Sequence, residues 1–258
     1  MTYTIERRVV PALDSIDVTI QSGSFVAIVG PSGCGKSTLL RLIADILVPT
    51  EGTIRIGGRQ PSELRQKRQI GFVFQDPTLL PWRNVLENIS LPIAVAGTGA
   101  PGGPSATDLL DLVGLRGFGE ARPAQLSGGM QQRVAIARAL ILQPSVLLLD
   151  EPFGALDEIT RQRMNVELLR IWTQTGTTAI LVTHSLSEAI FMADRVLVMS
   201  ERPGRILADI KVPVTRPRGL DQMATAAFFE TVNRARQVLF GQGADDTSPR
   251  PPSPVTVA

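Results

Sequence analysis

A glycine-rich stretch carries the clearest pattern for phosphate chemistry in this chain. It follows the apolar run Phe25 to Val29 and fits the pattern G-x-x-x-x-G-K-[ST], in which a strand leads through a loop into a helix. Its glycines allow backbone N–H groups to point at phosphate oxygens, and the helix N-terminus adds a positive partial charge. The lysine would place a point charge at the β- and γ-phosphates, and the next residue offers a hydroxyl to Mg²⁺. The residues expected to bind a nucleotide are Gly30, Pro31, Ser32, Gly33, Cys34, Gly35, Lys36, Ser37 and Thr38.

Two carboxylates at the end of another apolar run could complete this chemistry. Residues 146–149 are apolar and are followed by Asp150 and Glu151. Asp150, at the tip of a strand, would hold Mg²⁺ through water, and Glu151 would polarise an attacking water as the general base. A strand that ends in acidic residues is common, so the pair indicates phosphoryl transfer only in combination with the Lys36 loop.

A second glycine-rich helix start precedes these carboxylates in the chain. Leu126 is followed by Ser127, Gly128 and Gly129, and helix periodicity begins there. Such a helix N-terminus is a second surface able to bind an anion. Two copies of the chain could therefore each cover the nucleotide of the other. The alternative is an ordinary helix that Ser127 caps, with a glycine-rich entry.

The elements that must position these motifs alternate along the chain. Short apolar runs predict buried strands at 25–29, 53–56, 70–74, 146–149, 179–182 and 196–199. Helix periodicity predicts helices at 36–47, 107–113 and 127–142, and Ser185 with Glu188 matches a capping box that opens another. Phe229, Val232, Ala235 and Leu239 have helical spacing. This alternation favours an α/β domain with a largely parallel sheet.

The segment between Asp76 and Leu126 differs in composition from the rest of the chain. It has prolines throughout and a loop-like composition at 97–104. It is interpreted as a helical insertion beside the sheet. The tail from Gly241 is rich in Pro, Ser and Asp and is predicted to be disordered.

The amino-acid composition limits the classes of function that this chain can have. The chain of 258 residues has 26 Lys and Arg against 24 Asp and Glu, and this small excess without a strongly basic stretch argues against nucleic-acid binding. Cys34 is the single cysteine, so no intrachain disulfide or multi-cysteine metal site is expected. No apolar run approaches the ~20 residues that a bilayer-spanning helix needs. A membrane role is therefore expected only through a partner.

With these motifs in this order, residues 18–200 resemble the ABC ATPase family. Residues 126–131 are similar to its signature motif, and Gln75 is similar to the Q-loop glutamine, which touches Mg²⁺ and the attacking water. Asp157, in Ala-Leu-Asp, is similar to the D-loop residue along the dimer interface. His184 is similar to the switch histidine that contacts the γ-phosphate; it is the only histidine in the chain, and a lone histidine at a strand end is more often a polar cap.

The resemblance implies a fold and a set of site residues. The fold is a P-loop NTPase (RecA-like) α/β core with an N-terminal antiparallel β subdomain and a helical insertion subdomain at about 76–142, within a nucleotide-binding domain that spans 1–240. Glu151, His184 and Gln75 are the implied catalytic residues. Ser37, Gln75 and Asp150 are the implied Mg²⁺ ligands, and ATP is the implied nucleotide.

One part of the family pattern is missing. An aromatic residue usually precedes the motif lysine and stacks on adenine, but here that window holds Arg7 and Arg8, and the nearest aromatic residue is Tyr3. Adenine could be held by either arginine through a cation–π contact, by Tyr3, or weakly.

Further similarity lies in the stretch after Gln75, which contains Trp82, and in Arg202-Pro-Gly-Arg. Both are similar to the nitrate, sulfonate and taurine importer subfamily. Membership implies a second ATPase subunit, identical or paralogous, two permease subunits that contact region 75–82, and a solute-binding protein. It implies a place on the cytoplasmic face of a bacterial membrane. Trp82 as a core residue is the alternative to its role as an interface anchor.

Three other interpretations remain. A transporter of another class, for export or lipid extraction, would share the same motifs. A non-transport ABC ATPase of DNA repair or translation would require a coiled-coil insertion or tandem domains, and neither pattern is found here. A P-loop kinase or GTPase would leave the Ser127 motif without a role, and the guanine-reading Asn-Lys-x-Asp pattern is missing from the sequence.

Overall fold

The structure is a computed structural model and describes residues 1–5, 8–100 and 102–241. The chain forms two compact units. The first unit contains Met1–Arg65 together with the chain from Ile180 onward, and the second unit contains Gln66–Ala179. The predicted disordered tail lies outside the described residues, apart from Gly241.

The strands of the first unit form two arrangements. β1 (Thr2–Ile5) and β2 (Arg8–Pro11) pair antiparallel, with Thr2 opposite Pro11, as expected for an N-terminal antiparallel element. β3 (Phe25–Val29) pairs in parallel with β7 (Arg195–Met199), and β8 (Ile206–Lys211) pairs antiparallel on the other side of β7. All five residues of β3 are buried, which explains its uninterrupted apolar sequence.

The helices that lie in the first unit or end at its border are α1 (Lys36–Ile43), α2 (Pro61–Gln66), α8 (Leu186–Met192) and α9 (Ala226–Phe240). α1 is shorter than the sequence predicted, because Asp45 takes a left-handed conformation with a φ of 58° and ends the helix. In α9, Val232 and Ala235 are buried, but Phe229 is 55% exposed, so its predicted spacing with them does not make it a core residue.

The predicted strand at 53–56 is wrong. Within this described segment the backbone forms only an isolated bridge between Ile56 and Arg59, with hydrogen bonds of 2.9 and 3.0 Å around the turn Gly57-Gly58. The residue types at 53–56 suit a strand. A strand also requires a partner along its length, and the local sequence does not decide whether that partner is present.

The second unit contains the parallel pair β4 (Ile70–Val73) and β5 (Val146–Asp150), with Ile70 opposite Val146. β6 (Thr178–Val182) begins in this unit and ends in the first. Its helices are α3 (Val85–Ile89), α4 (Leu91–Ala96), α5 (Ala106–Leu112), α6 (Gly128–Leu140) and α7 (Glu158–Thr175). The described elements between β4 and β5 are helical, in keeping with the interpretation of 76–142; its status as a subdomain stays a prediction.

Local signals explain the helix ends of this unit. Ser105 caps α5 and Asp157 caps α7, each accepting a hydrogen bond from the backbone three residues later. α7 ends at Gly176, in the left-handed conformation. Met164, Leu168, Ile171 and Trp172 form the buried stripe of α7, at the spacing of an amphipathic helix.

Within the described residues, no helix combines the length and the apolar character that crossing a membrane requires.

Candidate active site

The Lys36 loop connects β3 to α1 in the first unit, as predicted. Gly35 occupies the N-cap position of α1 with a φ of 107°. A Cβ atom at Gly35 would lie 2.6 Å from Leu13 Cδ2 and 2.9 Å from the Ala12 carbonyl oxygen. Both the backbone angle and the packing therefore require glycine at this position.

Lys36 is held inside its own loop. The side chain is only 5% exposed, and Nζ donates hydrogen bonds of 2.8 Å to the Gly30 carbonyl and 2.9 Å to the Pro31 carbonyl. The ammonium group is thus fixed at the start of α1, where the helix adds its positive partial charge. Such a site attracts anions.

Gly204 supports the loop from outside and was not among the predicted site residues. Its N–H donates to the Ala12 carbonyl at 2.9 Å, and its carbonyl accepts from Asp14 N–H at 3.0 Å. A Cβ atom at Gly204 would overlap with the carbonyl oxygen of Cys34.

The next residue, Arg205, forms an ion pair with Asp14. Hydrogen bonds from the Ser15 hydroxyl and from Arg205 lower the pKa of the Asp14 carboxyl. The stretch Arg202-Pro-Gly-Arg was noted in the sequence for its similarity to a subfamily. The sequence alone did not indicate that Gly204 packs against the Lys36 loop.

His184 follows β6 directly, in the first unit, and is exposed. The N–H of the preceding residue, Thr183, donates to the Ile28 carbonyl of β3 at 3.2 Å, so His184 lies beside the end of the strand that leads into the Lys36 loop. The Thr183 hydroxyl donates to the buried carboxylate of Glu188 and accepts from Ser185 N–H at 3.0 Å. Ser185 accepts from Glu188 N–H at 3.3 Å, as expected for a cap of α8.

The two carboxylates of the second unit lie at the end of β5. Asp150 is 7% exposed, and Glu151 has a φ of 46°, a conformation that non-glycine residues rarely adopt. The Glu151 carbonyl accepts from Gly154 N–H at 3.1 Å, which closes a turn around this residue. Strained backbone of this kind is concentrated at functional sites.

The side chains of Gln75 and Glu151 approach each other beside Gly154. A Cβ atom built on Gly154 would lie 3.5 Å from Glu151 Oε2 and 3.6 Å from Gln75 Nε2. An amide and a carboxylate therefore converge on one point in the second unit. A water molecule between the two groups, in van der Waals contact with Gly154, could be held by the amide and polarised by the carboxylate.

The Ser127 motif opens α6 in the second unit. Ser127 is exposed and accepts from Met130 N–H at 3.4 Å, which is a long capping bond. Cβ atoms on Gly128 and Gly129 would lie 3.7 and 3.9 Å from the methyl groups of Leu156. The structure therefore brings the Ser127 motif against the segment that contains Asp157.

Asp157 caps α7 through a 3.0 Å hydrogen bond from Thr160 N–H to its carboxylate, and this bond lowers the pKa of Asp157. The capping role is local. The role of Asp157 in binding a nucleotide across a dimer stays a prediction.

The donor chemistry suits Mg²⁺. The hydroxyl of Ser37, the amide of Gln75 and the carboxylate of Asp150 all supply oxygen, which Mg²⁺ prefers. In the part of the chain that the structure describes, no cluster of three or more His, Cys, Asp or Glu side chains could hold a metal ion.

The predicted adenine contact stays a prediction. Arg7 lies outside the described residues, and for Tyr3 and Arg8 only the backbone is described, in β1 and β2.

The segment from Gln75 to Trp82 ends in a fixed turn with an exposed aromatic side chain. Asn88, which is fully buried, accepts from Leu80 N–H at 2.8 Å and donates to the carbonyls of Leu80 and Arg83 at 3.2 Å. Trp82, inside this turn, is 68% exposed. The interpretation of Trp82 as core filler is therefore wrong.

Comparison with known proteins identifies the family. Residues 13–154 match the family model described as ABC transporter. An aliphatic sulfonates import ATP-binding protein of Mesorhizobium japonicum is 47% identical over 206 residues, which cover 80% of this chain and 76% of that protein. A bicarbonate transport ATP-binding protein of Synechocystis is 40% identical over 239 residues, which cover 91% of this chain and 84% of that protein.

A solved structure supports the same assignment. The dimeric post-hydrolysis state of an ATP-binding cassette bound to ADP and Pi matches with a TM-score of 0.70 and 35% identity, over 85% of this chain and 96% of that one. Its fold confirms the expected α/β architecture of a P-loop NTPase. The chain belongs to the ABC transporter family, as one of its ATP-hydrolysing subunits.

Proposed function

We propose that this chain is the ATP-binding subunit of an ABC importer that couples hydrolysis to the uptake of a small anionic solute. The observation that carries the proposal is the presence of two glycine-rich helix N-termini, one at Lys36 and an exposed one at Ser127. A single chain needs only one of them to bind a triphosphate. Two copies that act together would use both.

The nucleotide binds first to the Lys36 loop. The backbone N–H groups of residues 32–38 and the Lys36 ammonium neutralise phosphate charge, which is the main task in phosphoryl transfer. Ser37, Asp150 and Gln75 would hold Mg²⁺, which supplies further charge neutralisation at the phosphates when bound. The oxygen donors of these three residues fit this ion.

Glu151 then acts as the general base. Its carboxylate shares a space with the Gln75 amide, so that Gln75 can orient the water that Glu151 polarises. His184 is proposed to contact the γ-phosphate from the end of β6. Its neighbours Thr183 and Glu188 hold the backbone on which it stands.

A second ATPase subunit, identical or paralogous, closes the site. Ser127, Gly128 and Gly129 of one copy would touch the γ-phosphate held by the other, with Asp157 along the interface. Ser127 and Gly128 are exposed, as this role requires, whereas Gly129 is buried in the single chain. The similar cassette bound to ADP and Pi is dimeric, which supports an assembly of two ATPase subunits.

The exposed Trp82 would meet two permease subunits from the cytoplasmic side of the membrane. Tryptophan is a favoured interface anchor, and the buried Asn88 fixes the turn that presents it. A solute-binding protein would deliver the cargo to the permeases. Import is favoured over export or lipid extraction because the sulfonate relative is named as an import protein.

The cargo is proposed to be a small anion of the nitrate, sulfonate or taurine type. The two relatives described above serve sulfonates and bicarbonate, which are both small and anionic.

The test is Glu151→Gln. Because general-base catalysis contributes about 10²- to 10⁴-fold, the variant should lose ATP turnover by this factor while it still binds ATP. With ATP and Mg²⁺ it should accumulate as a closed dimer, which size-exclusion chromatography with light scattering measures.

Glu158→Gln is the matched control, because it removes the same charge from an exposed position on α7. It should turn over ATP and stay in the oligomeric state of the wild type. Turnover near wild type in Glu151→Gln would remove Glu151 from the general-base role.

A further inference from the structure

Helix α6 holds the backbone on both sides of Gln75 through two of its side chains. Gln132, which is 2% exposed, donates from Nε2 to the Phe74 carbonyl at 3.0 Å. Arg138 donates to the Pro77 carbonyl at 2.7 Å and to the Thr78 carbonyl at 2.9 Å. Gln75 therefore stands between two attachment points on one helix.

The attachment at Thr78 holds a strained residue. Thr78 has a φ of 48°, which is a genuine outlier for a β-branched side chain. Arg138 bonds both its carbonyl and its hydroxyl, the latter at 3.0 Å, and Asp76 accepts from Thr78 N–H at 3.1 Å. Strain of this kind persists only where the surroundings impose it.

The burial of Arg138 also favours its attachment to the Gln75 segment. Removal of its guanidinium from water lowers its pKa, because desolvation disfavours the charged form. A partly buried cation needs hydrogen-bond acceptors to offset that cost, and the three acceptors of Arg138 all belong to Pro77 and Thr78.

We infer that Gln132 and Arg138 are positioning residues that attach the Gln75 segment to α6. This inference rests on the proposed function, in which Gln75 orients the attacking water and Ser127 opens the same helix. Since α6 is a continuous helix of 13 residues, its Ser127 end and the Gln75 segment are parts of one rigid body. A movement imposed at one of them is transmitted to the other.

Hydrogen–deuterium exchange of the full chain tests the attachment. Arg138→Met keeps most of the aliphatic length of the side chain and removes every donor. Each lost bond is worth about 1 kcal/mol, so exchange in peptides that cover residues 74–83 should rise at least about tenfold. Peptides that cover the Lys36 loop should exchange as in the wild type.

Arg133→Met is the matched control on the same helix. Arg133 donates to the carbonyls of Val113 and Gly114 at 3.1 and 3.2 Å and makes no described bond to the Gln75 segment. Exchange at 74–83 should therefore stay unchanged in this variant. If Arg138→Met fails to fold, Gln132→Leu removes the other attachment and should raise exchange by about fivefold, since one bond is lost.

A kinetic measurement separates positioning from general destabilisation. Arg138→Met should lower kcat for ATP by about tenfold and change KM less than twofold, because the Lys36 loop is untouched. Unchanged exchange at 74–83, an equal rise in Arg133→Met, or a loss that falls on KM would overturn the inference. Absence of ATP turnover in the wild-type chain would count against the proposed function alone, since the exchange comparison does not depend on it.

Discussion

At the scale of single residues, the candidate site depends on backbone conformations that most side chains avoid. Gly35 and Glu151 both have positive φ, and each stands next to a group that the proposed chemistry uses. At Gly35 the left-handed conformation lets the loop enter α1 at Lys36. At Glu151 it directs the carboxylate toward the space that Gln75 also faces.

Gly35→Ala should therefore weaken ATP binding. The added Cβ meets Leu13 and the Ala12 carbonyl, and a strained backbone conformation costs about 1 to 3 kcal/mol, so affinity should fall roughly 5- to 150-fold. Isothermal titration calorimetry with ATP measures the change.

Gly99→Ala is the control for this substitution, because its Cβ would lie at an ordinary 3.6 Å from Ile93. It should bind ATP as the wild type does. Unchanged affinity in Gly35→Ala would show that the loop tolerates the side chain and that the close packing on Leu13 is not needed for ATP binding.

At the scale of elements, Ser127 caps α6 and is proposed to have a second role, in contacting the nucleotide of another copy. Ser127 caps the helix, but its 3.4 Å bond is long, so capping explains little of why serine stands there. The exposure of Ser127 and Gly128 fits a group that meets a ligand from another molecule. These two roles predict different consequences of one substitution.

Ser127→Ala should cost only about 0.5 kcal/mol of stability, at the low end for a lost N-cap, because the capping bond is weak. ATP turnover should fall by about tenfold or more, since a charge-assisted hydrogen bond to phosphate is lost. Urea unfolding and steady-state ATPase assays measure the two effects.

Ser105→Ala provides the comparison, because Ser105 caps α5 within a complete capping box and has a shorter bond of 3.1 Å from Asp108 N–H. It should cost more stability, about 1 kcal/mol, and leave turnover unchanged. A large stability loss with unchanged turnover in Ser127→Ala would support the ordinary capped helix instead.

At the scale of the whole molecule, the proposed dimer is head-to-tail, so each site takes Lys36 from one copy and Ser127 from the other. Lys36→Ala removes the ammonium group that neutralises phosphate charge, and Ser127→Arg blocks the surface that would cover the nucleotide of the other copy. Each variant alone should have no intact site. In a dimer that contains one copy of each, one of the two sites retains both residues.

An equimolar mixture of Lys36→Ala and Ser127→Arg should therefore regain activity. If the copies pair at random, about a quarter of the sites are intact, and turnover should approach this fraction of the wild-type value. Turnover is measured after mixing and as a function of protein concentration. A mixture that stays as inactive as its components would contradict shared sites.

Much of the fold and the site followed from the sequence, because the relevant signals are local. The buried strands β3 and β5 were predicted from apolar runs, and the start of α6 at Ser127 from its capping residue. The same signals failed at 53–56, where the pattern of a strand is present but the structure forms only one bridge.

The amino-acid sequence by itself determined most of the elements and the motifs that they carry, since periodicity, caps and glycine positions act over a few residues. Only the tertiary structure decided which side chains support those motifs. Gln132 and Arg138 reach carbonyls 58 to 61 positions away, and Gly204 packs against the distant Lys36 loop. The neighbouring sequence does not show which group a hydrogen-bond donor or a glycine will contact, because these contacts form only when the elements pack together.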